Sequence, residues 1–146
     1  MIQRNEFPYI IGCDCDPDRI SFNNDVSPNS LTWDGISKGI SNFIEKREIF
    51  YEKYNIKFNI TWFIRSDLQV KYFHKNSSYC LDKFNDIWQK LIIDGDEIAW
   101  HPHLWKLNSN SGEWYQEINN ENFTIDCLSQ GLEDFFKVWG ELPKSV

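Results

Sequence analysis

A chain of 146 residues has the length of one domain, enough for a hydrophobic core but not for a large closed barrel. Its 15 basic and 22 acidic side chains leave a net charge of −7, which repels phosphate backbones and anionic lipid surfaces and sets nucleic acid and membranes aside as partners. With 41% hydrophobic and 25% charged residues it has the composition of a folding globular protein, not of a disordered one.

The opening residues Met1 to Pro8 lack the apolar stretch and small-residue cleavage site of a secretory signal, and no apolar run approaches the length of a membrane span, so the expected compartment is the cytoplasm. Cys13, Cys15, Cys80 and Cys127 are too few and too unevenly spaced for a disulfide framework and read as reduced thiols. Seven Trp, six Tyr and eleven Phe are an aromatic excess that either fills a core or stacks on flat ligands such as sugars.

Phe7 to Cys15 is an apolar run stopped by Asp16, Pro17 and Asp18, which predicts a buried strand entering a loop. Thr32 can then cap a helix in which Ile36, Ile40, Phe43, Ile44, Tyr51 and Tyr54 recur at helical spacing, ending near Asn55. Phe58 to Arg65 predicts a second strand, followed by a loop that begins at Ser66 and Asp67. Ser77 or Ser78 caps a second helix carrying Leu81, Phe84, Ile87, Trp88, Leu91 and Ile92, with Gly95 as its stop. Glu97 to Trp105 reads as a third strand running into a loop at Pro102, and a polar loop from Lys106 to Asn122 follows. The last helix presents Ile125, Leu128, Leu132, Phe135, Phe136 and Trp139 on one face, capped by Thr124 or a nearby Asn and stopped by Gly140 and Pro143. Strand and helix alternate three times, which predicts an α/β fold of three parallel β-α units, either an open sheet or an incomplete barrel, with chemistry at the strand C-terminal ends.

Those ends are where the reactive residues gather. Asp14, Asp16 and Asp18 crowd three carboxylates together after the first strand, and period-two geometry sends Asp14 and Asp16 to one face with Cys13 and Cys15 on the other. Carboxylates that close call for a cation between them, one acting as ligand and another left as a base; Asp18 equally suits a turn that caps the following segment. After the third strand His101 and His103 share a face, and a His-x-His pair with a carboxylate is a sensible ligand set for Zn²⁺ or a similar divalent ion. Trp100 and Trp105 flank the pair and, with Asp18, are the expected substrate contacts. Arg65, at the end of the second strand, can hold a carboxylate base in place, bind a substrate oxygen, or form a plain ion pair with Asp67. His74 has no partner in the sequence and reads as structural.

Three landmarks give the chain a resemblance to the N-terminal half of the NodB-homology polysaccharide deacetylases, carbohydrate esterase family 4. Asp14-Cys15-Asp16 resembles the family's aspartate pair, Ile60-Thr61-Trp62-Phe63 its second strand, and Gly95-Asp96-Glu97-Ile98-Ala99-Trp100-His101 the turn that leads to its metal-binding histidine. The resemblance implies the first half of an irregular (β/α)7-type barrel and a metal-dependent hydrolase that removes N-acetyl groups from an amino sugar or glycan. It implies Asp14 as general base, Asp16 and His101 as ligands, and a divalent metal, zinc first, with cobalt, nickel or iron as alternatives. The family's second histidine lies four residues after the first, a position held here by Trp105, so His103 stands in for it. The family's later motifs would lie beyond Val146, where Lys144-Ser145-Val146 reads as the opening of a fourth strand. A half-barrel exposes sheet edges, so self-association or a complementary chain is expected.

Two other readings use the same residues. A non-catalytic sugar-binding relative would line a platform with Trp33, Trp62, Trp100, Trp105 and Trp114. A structural zinc site would use Cys13, Cys15, His101 and His103, against which stands the strand alternation that turns the cysteines away from the aspartates.

Overall fold

The computed structural model describes residues 11–18 and 31–146, so Phe7 to Ile10 of the expected first strand lie outside the described residues. Three short strands pair as expected, two of them, Thr61–Arg65 and Glu97–His101, carrying β-branched and aromatic residues. β1 (Gly12–Cys15), β2 (Thr61–Arg65) and β3 (Glu97–His101) form one parallel sheet in the order β1-β2-β3. Cys15 lies opposite Ile64 and Arg65 opposite His101, so the three strands end side by side.

α1 (Asp34–Tyr54) follows β1 and ends at Asn55, whose left-handed backbone (φ 53°) returns its N–H to the Tyr51 carbonyl. Its N-terminus is capped from a distance. The Asp18 carboxylate accepts the backbone N–H groups of Asp34 at 2.7 Å and Gly35 at 2.9 Å, and the Thr32 hydroxyl donates to the same carboxylate at 3.0 Å. Thr32 therefore supports the cap and Asp18 forms it, because a carboxylate satisfies two orphan donors and the helix dipole together.

After β2 the expected loop is a helix, α2 (Leu68–His74), capped by Asp67, whose Oδ1 accepts the Val70 N–H at 3.0 Å. Seven residues are too few to print a helical period. The single helix expected after Ser78 is two, α3 (Tyr79–Lys83) and α4 (Asn85–Ile93), which break at Phe84 (φ −111°, ψ 24°). The third strand stops at His101 rather than Trp105, since Pro102 brings no N–H to a ladder. Within the expected polar loop, β4 (Trp105–Leu107) and β5 (Trp114–Gln116) form an antiparallel hairpin whose turn is held by Asn108. α5 (Glu121–Trp139) is capped by Asn120 and closed by Gly140 at φ 85°.

The core lies between the sheet and its helices and includes Ile64, Val70, Cys80, Leu81, Trp88, Leu91 and Phe135. Trp33, Trp62 and Trp100 are buried with them. Each such apolar side chain stabilises the fold by about 1.5–3 kcal/mol. One polar knot locks α1 to the sheet: Asp96, just before β3, accepts hydrogen bonds from Arg47, from the Ile60 N–H and from the Trp62 indole. At the far edge, the Trp100 backbone N–H donates to the Ser145 carbonyl at 3.1 Å, but the expected fourth strand does not form: residues 141–146 are not in a strand and the parallel sheet has three strands among the described residues. No described helix is long and apolar enough to cross a membrane.

Candidate metal centre

The side-by-side strand ends place four polar side chains at one spot. Asp16 stands one residue beyond β1, Arg65 closes β2, His101 closes β3, and Pro102 turns the chain so that His103 comes back toward His101. Asp16 Oδ2 lies 4.0 Å from His101 Nε2, Asp16 Oδ1 lies 3.8 Å from His103 Nε2, and the two Nε2 atoms are 2.8 Å apart. Among the described residues this is the cluster of His, Cys, Asp and Glu donors close enough to share one ion.

Arg65 stands behind Asp16. Its side chain is 7% exposed and donates from Nε to Asp67 Oδ2 at 2.6 Å and from Nη2 to Gln69, while Nη1 lies 3.6 Å from Asp16 Oδ1. That last distance is an ion pair but not a hydrogen bond. Asp16 Oδ1 is consequently a buried oxygen with no hydrogen-bond partner among the described residues. One guanidinium between two carboxylates leaves the group with a net charge of −1, a setting that favours a further cation. The His103 ring is held below the usual histidine range, first by burial and then by the Arg65 charge.

The donor set fits a metal ion. Two imidazoles and a carboxylate are ligands that metal ions take, they converge from the ends of β1 and β3, and the unpartnered Asp16 oxygen is the buried polar atom an ion would satisfy. Asp16, His101 and His103 are thus brought together, with Arg65 beside them as a holder of carboxylates.

Other expected site residues lie elsewhere. Asp14 is exposed on β1, outside the cluster, and its side chain makes no hydrogen bond or ion pair with another described residue. The Asp18 carboxylate is taken up by the α1 N-terminus. Trp100 is 4% exposed with its indole N–H on the Ser66 carbonyl, which leaves no ring face for a ligand, and Trp33 and Trp62 are likewise buried. Trp105 does reach the centre, but by its indole N–H, which meets His103 Nδ1 at 3.0 Å. Cys13 and Cys15 stay out of the ligand group, as strand alternation requires. Gln69 is a member of the Arg65 network that the sequence did not announce, because α2, which carries it, was itself unsignalled. His74 is more engaged than its sequence context implies: it accepts the Trp33 indole N–H at 3.2 Å and stacks on Tyr79.

No family model, curated protein or solved structure matches this chain.

Proposed function

We propose that Asp16, His101 and His103 hold a divalent cation, zinc foremost, and that the chain contributes this centre to a metal-dependent hydrolase acting on the N-acetyl group of an amino sugar or glycan. The observation that carries the reading is the convergence of three ligand atoms around the unpartnered Asp16 Oδ1. A cation bound there supplies Lewis acidity toward a carbonyl oxygen and an acidified water. The chain's own residues divide the remaining work. Asp16 and the two imidazoles fix position, and Arg65 keeps the Asp16 carboxylate oriented while its pair with Asp67 keeps Arg65 from folding into the site. The role of proton acceptor is carried by the resemblance alone to Asp14, whose carboxylate lies outside the ligand cluster and is unengaged by other described residues.

Elemental analysis of purified wild type, Asp16→Ala and His101→Ala proteins tests the reading. Near-stoichiometric metal in the wild type and its loss in both variants is the expected result, followed by release of free amine from an N-acetylated amino-sugar oligomer that Asp14→Asn abolishes without loss of metal. A wild type that takes up no divalent ion after reconstitution sinks the hydrolase reading. Metal binding without amine release would leave a metal centre and refute the deacetylase assignment.

A further inference from the structure

Trp105 brings to the centre a group whose hydrogen bonding has only one direction. An indole N–H donates and cannot accept, so its 3.0 Å contact with His103 Nδ1 requires a bare nitrogen there. A neutral imidazole carries one ring proton, which must then sit on Nε2, the atom 2.8 Å from His101 Nε2. That proton is donated to His101, whose Nε2 is bare in turn and whose own ring proton sits on Nδ1. A single donor-only group thus sets the proton positions of both rings.

The three expected ligands are then unequal. Asp16 and His101 present lone pairs to the shared point, whereas His103 presents an N–H. Ligating histidines ordinarily keep the proton on the far nitrogen and donate it to a carboxylate or carbonyl. Trp105 imposes the reverse arrangement on His103.

We propose that Trp105 is a positioning residue that locks His103 in the tautomer unable to ligate, so that the centre gains its third ligand only when the indole N–H releases Nδ1. This rests on the cation-binding reading above. On release, one proton leaves Nε2 for solvent and one is taken up at Nδ1, so the charge is unchanged while a lone pair turns toward Asp16 and His101. Trp105 opens the β4–β5 hairpin and is not part of the parallel sheet, so its indole can turn without shifting the strand ends that place Asp16 and His101.

Long-range ¹H–¹⁵N spectra of the histidine-labelled full chain read each ring's tautomer directly. Metal-free wild type should show His103 in the Nε2–H form, and one equivalent of Zn²⁺ should convert it to Nδ1–H. Trp105→Phe keeps an aromatic ring and removes the donor; in competition with a chromophoric chelator it should bind Zn²⁺ about three- to tenfold more tightly, the equivalent of one neutral hydrogen bond that no longer has to break. An Nδ1–H tautomer in the metal-free wild type, or equal affinities in wild type and variant, overturns the lock. If the Nε2–H tautomer is present but neither protein binds Zn²⁺, the cation-binding reading has failed and the gating role falls with it. Should Trp105→Phe not fold, the tautomer of the wild type before and after Zn²⁺ decides the matter alone.

Discussion

Replacing Asp96 by alanine removes the centre of the knot that joins α1 to the sheet. The side chain is wholly buried and accepts four hydrogen bonds: Arg47 Nη1 straddles both oxygens at 2.7 and 2.8 Å, and the Ile60 N–H and the Trp62 indole N–H each donate at 3.0 Å. Arg47 is itself only 10% exposed. Deleting the carboxylate strands a guanidinium and two N–H donors away from water. Breaking a buried ion pair from one side costs about 3–5 kcal/mol, and the stranded donors hold the figure near the middle of that range although Asp94, 3.4 Å from Arg47, recovers some of it. About 4 kcal/mol corresponds to a fall in Tm of about 8–16 °C for a domain of this size. Urea unfolding followed by tryptophan fluorescence measures the loss as a shift in midpoint at constant slope. The double variant Arg47→Met/Asp96→Leu removes both charges and should lose less than Asp96→Ala alone. A loss below about 1 kcal/mol in the single variant would refute the view that this knot is closed to water.

Three further outcomes follow from other parts of the fold. Gly131→Ala would set a Cβ 2.7 Å from Trp100 Cζ2 and 3.3 Å from the Ser66 carbonyl oxygen, and overpacking of about 1–3 kcal/mol should outweigh the helix-propensity gain of about 1 kcal/mol; a more stable variant would mean that Trp100 yields. The Cys13 thiol is brought down to about 7 by its hydrogen bond with the Cys15 thiol, whereas burial pushes Cys80 and Cys127 up, so iodoacetamide at neutral pH should label Cys13 first; peptide mapping that finds the four cysteines equally labelled would refute this. Burial holds His74 below its usual value of 6.5, so the unfolded chain binds the proton first on acidification. The stability it contributes is complete above pH 6.5 and is lost as pH falls through the folded-state value. The melting temperature should therefore fall less between pH 7 and pH 5 in His74→Gln than in wild type, and parallel profiles would show that His74 contributes no pH dependence.

Periodicity was enough to find what long elements build. α1 and α5 and the sheet strands β2 and β3 lie where apolar spacing puts them, and the parallel sheet follows from their alternation. Short elements escaped for a physical reason: α2 buries only Val70, and β4 and β5 are three residues each with no strongly buried face, so neither leaves a pattern long enough to read. In the site, Asp16, His101 and His103 were legible because strand ends and two-residue spacing bring them together. Asp18 and Trp100 were misplaced for another reason. Composition shows that a carboxylate or an indole is near, but only three-dimensional packing shows whether its donors and acceptors are already taken up by a helix end or by the Ser66 carbonyl.

The same small sheet buries carboxylate oxygens at both ends and treats them differently. At its N-terminal end Asp96 is saturated, with every oxygen engaged by an arginine, a backbone N–H or an indole. At its C-terminal end Asp16 Oδ1 is buried and, among the described residues, has no donor within hydrogen-bond distance, although Arg65 stands only 3.6 Å away. Arg65 is drawn off toward Asp67 and Gln69, and the two nearest imidazoles face each other. A buried acceptor left unpaired costs about 1–3 kcal/mol, more when charged. The Asp96 knot demonstrates that this fold can satisfy such a group from its own side chains. An unsatisfied oxygen beside two imidazoles, in a group whose net charge is negative, is what an added cation would stabilise, so metal uptake at this end of the sheet should raise the melting temperature of the wild type and leave that of Asp16→Ala unchanged.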